Sequence, residues 1–418
     1  MARPDSSGLL APNPPAMNEI IAHAVAILTE IEQTNASADR ATKRYFRTHP
    51  KLTNQERKSI ATYVHGVRCH LTGIEYQLAQ NEIEKSVKHK IIVYKLIVEG
   101  TTLNDMLSSI DHSSRDAFHR FSTSWPKEPF EKLRTQYSFP SVATRSLLAR
   151  YDYEFCAQLA EALNNPGPVT IRTRSHRISR EKLASELQRL GCATERTRIA
   201  PHGLILKNRH DIRGCPLWQN GLYEVQDEGS QIIATKVDPR PNERILDLCA
   251  GAGGKTLALA DLAMERADIV ASDINAQRLD DLKVRLKRTH LDRIQTVNLS
   301  LTSLEGTFDR VLVDAPCSAS GIWRRGPDRK WQLTPQNLLD WTTQQSAVLK
   351  EGFARLRPEG VLVYATCSFL TEENESVVDA FVSDTKMVRV ESLTNLYPHQ
   401  QGTDGFFIAV MRRRSGRD

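Results

Sequence analysis

From about Leu222 to the C-terminus the chain alternates short β-branched runs with helical stretches, and this alternation limits the possible folds more than any other feature. Strands are expected at Ile245–Leu248, Ile269–Ser272, Ile294–Val297, Val311–Val313 and Val361–Tyr364. Strand–helix alternation gives a mostly parallel sheet with helices on both faces, so the fold class is α/β, a Rossmann-like doubly wound domain. The last connection holds an amphipathic helix with Leu338, Trp341, Gln345, Val348, Leu349 and Leu356 on one face. The ending, Asp404 to Met411, suits an antiparallel edge pair.

At 418 residues the chain is too long for one ordinary core. Residues 1–18 carry four prolines and no apolar h-region, which reads as a disordered leader rather than a secretory signal. Residues 19–136 have helical periodicity (Ile20, Ala24, Ile27, Leu28, Ile31; then Ile60, Tyr63, Val64, Val67), with a helix start at Asn54. Residues 137–220 read as a small α/β domain, with strands at Val169–Arg172 and Gly203–Leu206 and a helix capped by Ser179. Residues 221–418 complete the chain as the Rossmann-like α/β domain.

Between Pro168 and Cys215 there are eleven Lys/Arg against four Asp/Glu, more than the net charge of +6 for the whole chain. Such a concentration is either a solvated face or a footprint for phosphate backbones. The C-terminal Arg412, Arg413, Arg414 and Arg417 add to it. The seven cysteines are scattered with no C-x-x-C pair, so neither a zinc site, nor any other metal, nor a disulfide framework is expected. That usage suits a reducing, cytoplasmic compartment, and no apolar run is long enough to span a bilayer.

The first strand of the alternating region runs into Asp247-Leu-Cys-Ala-Gly-Ala-Gly-Gly-Lys-Thr256 and then a helix. Glycines here let the backbone approach a ligand at a helix N-terminus. A Walker loop would need glycine at Cys249, and the dinucleotide fingerprint a third glycine at Thr256. Both fail, which leaves a nucleoside-binding variant. Asp273 follows Gly253 by 20 residues at a second strand end, where its carboxylate can take both ribose hydroxyls.

The fourth strand ends in Asp314-Ala-Pro-Cys-Ser-Ala-Ser-Gly321 and the fifth in Tyr364-Ala-Thr-Cys-Ser-Phe369. Neighbouring strands of a doubly wound sheet would bring Cys317 and Cys367 to one crevice beside the nucleoside loop. Taken singly, each is a small buried residue at a strand end. Together they suit methylation of pyrimidine carbon 5. A thiolate adds to carbon 6 to activate the ring, a carboxyl such as Asp314 steadies ring nitrogen 3, and a further group helps expel the product.

At these residues the chain resembles the Sun-type RNA cytosine-5 methyltransferases, a family that includes a bacterial 16S ribosomal RNA enzyme. The resemblance covers roughly residues 140–411. It runs through Val225-Gln-Asp-Glu-Gly-Ser-Gln231, the glycine loop, the Asp-Ala-Pro-Cys block, Gly321-Ile-Trp-Arg-Arg-Gly-Pro-Asp-Arg-Lys-Trp331, Thr-Cys-Ser and Asp-Gly-Phe-Phe. It implies S-adenosylmethionine as cofactor, Cys367 as nucleophile, Cys317 in product release and Asp314 on the base. It also implies that Cys249, Ala250, Gly251, Ala252, Gly253, Gly254, Lys255, Asp273, Arg278, Asn298 and Asp314 line the cofactor, and that Lys330 helps shape the substrate side. Arg172, Arg174 and Arg177 of the basic window are the expected RNA contacts. The helical region is similar to the NusB-like RNA-binding domain joined to that ribosomal enzyme, with Arg44 to Arg47 and Arg57 at suitable places.

Three positions depart from the family pattern. Gly251-Ala252 replace an Ala-Pro step, Asn298 stands where aspartate is common, and Arg174 where asparagine is common. The sequence thus points to a monomeric RNA cytosine-5 methyltransferase acting on 16S ribosomal RNA. The alternatives are a transfer RNA enzyme and a non-catalytic ribosome-assembly protein. A DNA methyltransferase is opposed by the Thr366-Cys367 pair, since the DNA enzymes attack with the cysteine of the Pro-Cys motif.

Overall fold

The computed structural model describes residues 17–208, 211–299 and 304–415. The expected leader, apart from Met17 and Asn18, and Arg417 of the basic tail lie outside them; Met17 already begins a helix. The chain forms two compact units, one of residues up to Phe139 with Gly326–Asp328, the other of Pro140–Arg325 and Arg329 onward.

The first unit is helical. Its opening helix, Met17–Thr34, buries Ile20, Ala24, Ile27, Leu28 and Ile31 on one face, against Ile60, Val64, Val67, Ile74, Leu78 and Ile91 of the helices that follow. The helix Asn54–Cys69 starts where the sequence suggests, with Thr53 as its N-cap. Thr53 and Glu56 form a reciprocal capping box that satisfies two orphan N–H groups. Arg44 pairs with Glu30, and Arg57 donates to the Leu52 carbonyl at 3.0 Å. No described helix is long and apolar enough to cross a membrane.

The second unit carries two sheets. The smaller is antiparallel in the order β2-β3-β1-β4, with β1 Val169–Thr173, β2 Thr194–Arg196, β3 Gly203–Leu206 and β4 Tyr223–Val225. Strand β4 lies beyond residue 220, so the small sheet takes its fourth strand from the segment that sequence assigned to the Rossmann-like domain; Ile171 pairs with Val225. Ser179 caps the helix Arg180–Arg189 as its position suggested.

The larger sheet has the order β10-β11-β9-β8-β5-β6-β7. Its strands are β5 Arg244–Asp247, β6 Asp268–Asp273, β7 Gln295–Asn298, β8 Phe308–Asp314, β9 Leu356–Thr366, β10 Val388–Leu396 and β11 Phe406–Arg413. The five from β7 to β9 are parallel; β11 runs antiparallel to β9, and β10 to β11. Neighbouring residues point to opposite faces, and both faces are dry. Ile245, Leu312 and Val363 join one core with Ile233, Leu257 and Leu282, while Leu246, Val311 and Leu362 join another with Leu349, Val377 and Phe381. Burial on both faces is why these strands read as continuous apolar runs. The helix Pro335–Ala354 ends before Leu356, which belongs to β9 instead of the helix face.

Candidate active site

Strand order reverses between β5 and β8, and in open α/β sheets the crevice at such a point takes the ligand. A cavity of about 900 Å³ opens there, lined among others by Cys249, Lys255, Asp273, Asp314, Cys317 and Cys367. That volume suits a nucleoside cofactor plus part of a second ligand.

The glycine loop forms the floor at the cofactor end. Gly251 and Gly253 have φ of 54° and 81°, and a Cβ on Gly253 would lie 2.1 Å from Leu282 Cδ1. The turn forms without the usual proline; the Ala252 carbonyl accepts from Arg285 at 2.7 Å. Asp273 ends β6 and holds the loop by accepting from Gly251 N at 2.9 Å and Asn275 N at 2.8 Å. Each of its oxygens keeps a further lone pair for a hydroxyl. Leu248, Cys249, Ala250, Ile274, Leu299 and Val348 give the apolar walls an adenine ring needs. These residues fit S-adenosylmethionine: a carboxylate for the ribose, a helix N-terminus, and a dry slot. Arg278 also lines the cavity, whereas Asn298 sits at the end of β7 in register with Asp273, with Leu299 the residue that faces the cavity.

Burial acts on the polar groups beneath the loop. Asp247 is fully buried and its carboxyl is pushed up to about 7, partly offset by a hydrogen bond from Thr256 Oγ1 at 2.7 Å. Burial likewise raises the Cys249 thiol.

At the other end, β8 and β9 are adjacent and parallel, so the loops that leave them run side by side. Cys317 Sγ and Cys367 Sγ are 3.4 Å apart. The hydrogen bond to Cys367, then burial, hold the Cys317 thiol well above the ordinary cysteine value. Cys317 therefore keeps its proton and can donate it toward Cys367 Sγ. Lys255 Nζ reaches Asp314 Oδ2 at 2.6 Å. Burial works against its ammonium, yet Asp314 outweighs burial and keeps its pKa above the usual lysine value. Asp227 ties two distant sequence blocks together, accepting from Gly229 N, Asp404 N and Arg325 Nη2.

The expected RNA contacts fare differently. Arg172 is 3 % exposed, with Nε on Gln226 Oε1 at 2.8 Å and Nη1 on Asp261 Oδ2 at 3.1 Å. Arg174 is equally buried, donating to the Gly221 and Thr289 carbonyls and pairing with Glu265 at 2.5 Å. Both bind the small sheet to the helices Gly254–Leu262 and Ala276–Thr289 and are corrected here from RNA contacts to internal ties. Arg177 is half-exposed but shares Glu265. Lys330 is fully buried, its ammonium on Asn164 Oδ1, and so braces its loop from inside instead of meeting substrate.

Sequence reasoning missed several residues here. Glu373 and Asn374 grip the loops of the two cysteines. Gln345 was visible as a polar residue in an apolar helix row; it is buried and donates to the Pro316 carbonyl at 2.9 Å. Trp341, legible only as part of an apolar helix face, Arg329, legible only as part of a motif, and Glu351, which left no signal, also line the cavity wall.

The profile of the family described as "16S rRNA methyltransferase RsmB/F" matches residues 234–412. Residues 139–213 match the ferredoxin-like domain of the same proteins. A ribosomal RNA small subunit methyltransferase B from Proteus mirabilis is 32% identical over 297 residues, covering 69% of this chain and 68% of its own length. This chain belongs to the RsmB/F family. A probable ribosomal RNA small subunit methyltransferase B from Bacillus subtilis is 28% identical over 355 residues, 80% of this chain and 76% of the relative. The crystal structure of a methyltransferase homolog protein from Pyrococcus horikoshii superposes with a TM-score of 0.61 at 27% identity, over 69% of this chain and 99% of that one. The family membership makes the chain an S-adenosylmethionine-dependent ribosomal RNA methyltransferase.

Proposed function

We propose that the protein methylates carbon 5 of a cytosine in 16S ribosomal RNA through a covalent bond between Cys367 and carbon 6. The observation that carries this reading is the pair of thiols 3.4 Å apart, in the same cavity as the glycine loop and the Lys255–Asp314 pair. The ribosomal substrate is taken from the names of the relatives.

S-adenosylmethionine, held by the loop Cys249–Lys255 with Asp273 and Arg278, supplies an electrophilic methyl group for carbon 5. Cys367 Sγ, as thiolate, bonds to carbon 6 and pushes the C5–C6 electron pair onto carbon 5. Asp314 and Lys255 share a proton with ring nitrogen 3 and so offset the charge that develops on the ring. Once carbon 5 is methylated its proton leaves to a base, the C5–H electron pair re-forms the C5–C6 double bond, and Cys367 Sγ departs as thiolate with the electron pair of the Sγ–C6 bond. Cys317, beside Cys367, serves this release. A flipped base fits the crevice, because duplex cytosine hides both carbons.

The reaction is assigned to a monomer acting in the cytoplasm, where ribosomal RNA is made. The helical unit is assigned to RNA binding by its similarity to NusB-like domains.

Bisulfite sequencing of RNA from cells with and without the gene tests the substrate. Loss of one mark in 16S ribosomal RNA supports the reading; loss of a transfer RNA mark keeps the chemistry and replaces the substrate. Purified Cys367→Ala should lose turnover while still folding, and Cys317→Ala should stay bound to RNA as a thiol-linked, heat-stable adduct. Normal turnover by Cys367→Ala would overturn the mechanism.

A further inference from the structure

Neither thiol loop is held by the sheet alone. Cys317 lies beyond the end of β8, and Cys367 one residue past β9. Their side chains stand in contact, and buried side chains beneath the two loops help to fix them there.

That support comes from two consecutive residues, Glu373 and Asn374, both with no exposed surface. Glu373 grips the Cys317 loop. Its carboxylate accepts from Ser318 N at 2.7 Å, from Ser318 Oγ at 2.5 Å and from Gln345 Nε2 at 3.0 Å. Gln345 also holds Pro316, so the residues on either side of Cys317 are both fixed through one cluster. Asn374 grips the Cys367 loop. Its Oδ1 accepts from Thr366 Oγ1 at 2.6 Å, and its Nδ2 donates to the Ser368 carbonyl at 3.0 Å. The residues on either side of Cys367 are thus fixed as well. The two grips also touch: Ser368 Oγ reaches the Glu373 carboxylate and lies 3.4 Å from Ser318 Oγ and 2.9 Å from Ser320 Oγ, and Gly321 N donates to the Cys367 carbonyl at 2.9 Å.

We infer that Glu373 and Asn374 are a pair of positioning residues with divided duties, Glu373 setting Cys317 for product release and Asn374 setting Cys367 for attack. A buried carboxylate with three donors is a rigid anchor, since each bond is charge-assisted and water does not compete. A carboxamide offering one acceptor and one donor matches the hydroxyl and carbonyl that flank Cys367 in a single orientation. Neither residue touches substrate, so each acts through the cysteine loop that it chiefly holds.

The division makes a testable asymmetry, and it rests on the two-thiol reaction proposed above. Glu373→Gln keeps the shape but turns an NH₂ toward Ser318 or Gln345, which already donate. Asn374→Asp keeps an acceptor for Thr366 and loses the donor to Ser368. The full chain is incubated with S-adenosylmethionine and in vitro transcribed 16S ribosomal RNA, and both methyl transfer and the denaturation-resistant protein–RNA adduct are followed over time.

Glu373→Gln should form adduct at close to the wild-type rate and release it about tenfold or more slowly, so adduct accumulates. Asn374→Asp should lose adduct formation and turnover together. Equal slowing of both steps in both variants, or no change, overturns the inference, because a purely structural role would not separate attack from release. If either variant fails to fold, Ser318→Ala and Thr366→Val, which each delete one hydroxyl, should show the same split more weakly; its absence there overturns the inference too. Wild type and Cys317→Ala run alongside. If wild type transfers no methyl group and Cys317→Ala traps no RNA, the proposed reaction has failed. If they behave as expected and the variants do not split, only the assignment of Glu373 and Asn374 has failed.

Discussion

Replacing Arg172 by methionine should damage stability and leave RNA affinity unchanged, the reverse of what its place in a basic window suggests. The guanidinium is 3 % exposed and bonded to Asp261 and Gln226. Removing one partner of a buried pair costs about 3–5 kcal/mol, because the other charge stays in a dry site. Asp261 would still accept from Ser175 N, Ser175 Oγ and His176 N, at 3.0 to 3.1 Å, and methionine refills much of the volume. The lower end, about 3 kcal/mol, is therefore expected. For a unit of this size that corresponds to a fall in melting temperature of roughly 6–12 °C, read by calorimetry. The same protein is then titrated with 16S ribosomal RNA at several salt concentrations. A lost phosphate contact would flatten the slope of log K against log salt by about 0.7–0.9; the geometry requires no change. A melting temperature held within about a degree of wild type, with a flattened slope, would refute the reasoning and return Arg172 to the RNA surface.

Gly253→Ala should weaken S-adenosylmethionine binding by about tenfold or more, since a left-handed alanine is strained and its methyl group meets Leu282; an unchanged Kd by calorimetric titration would remove this turn from the cofactor site. Asp247→Asn should change how stability depends on pH. Burial raises the folded pKa of Asp247 to about 7, against an ordinary value of 3.8, so its contribution is fully present below 3.8 and is lost as pH rises through 7. The asparagine variant, which cannot ionise, should gain on wild type in urea melts between pH 4 and 7, and a constant difference across that range would show that Asp247 does not titrate there.

The catalytic half was legible because its physics is local. Strands buried on both faces, such as Ile245–Asp247 and Val361–Thr366, must be apolar throughout, and a glycine turn between strand and helix has few readings. The convergence of Cys317 and Cys367 followed from strand adjacency alone, 50 residues apart in sequence. The basic window misled for a physical reason. Composition counts charges but not their partners, and the partners of Arg172 and Arg174 lie 89 and 91 residues away, on a helix beside the large sheet and in the turn that follows it. Lys330 misled similarly: a lysine in a motif next to the site looks like a contact until Asn164 is found against it. Strand β10 was missed because its burial alternates, so it offers no apolar run. Glu373 and Asn374 were invisible because their work is done by hydrogen bonds to loops that the sequence could not yet place.

The buried ties between the small sheet and the large one also bear on modularity. Arg172, Arg174 and Glu224 on one side meet Asp261, Glu265, Arg285 and Arg288 on the other. A graft that brings this small domain onto a relative's catalytic core therefore imports guanidinium groups whose counter-charges stay behind. A chimaera joined between β4 and β5 should misfold, and one that carries the four facing residues along should not. The two sheets form a single compact unit, although their sequences read as two.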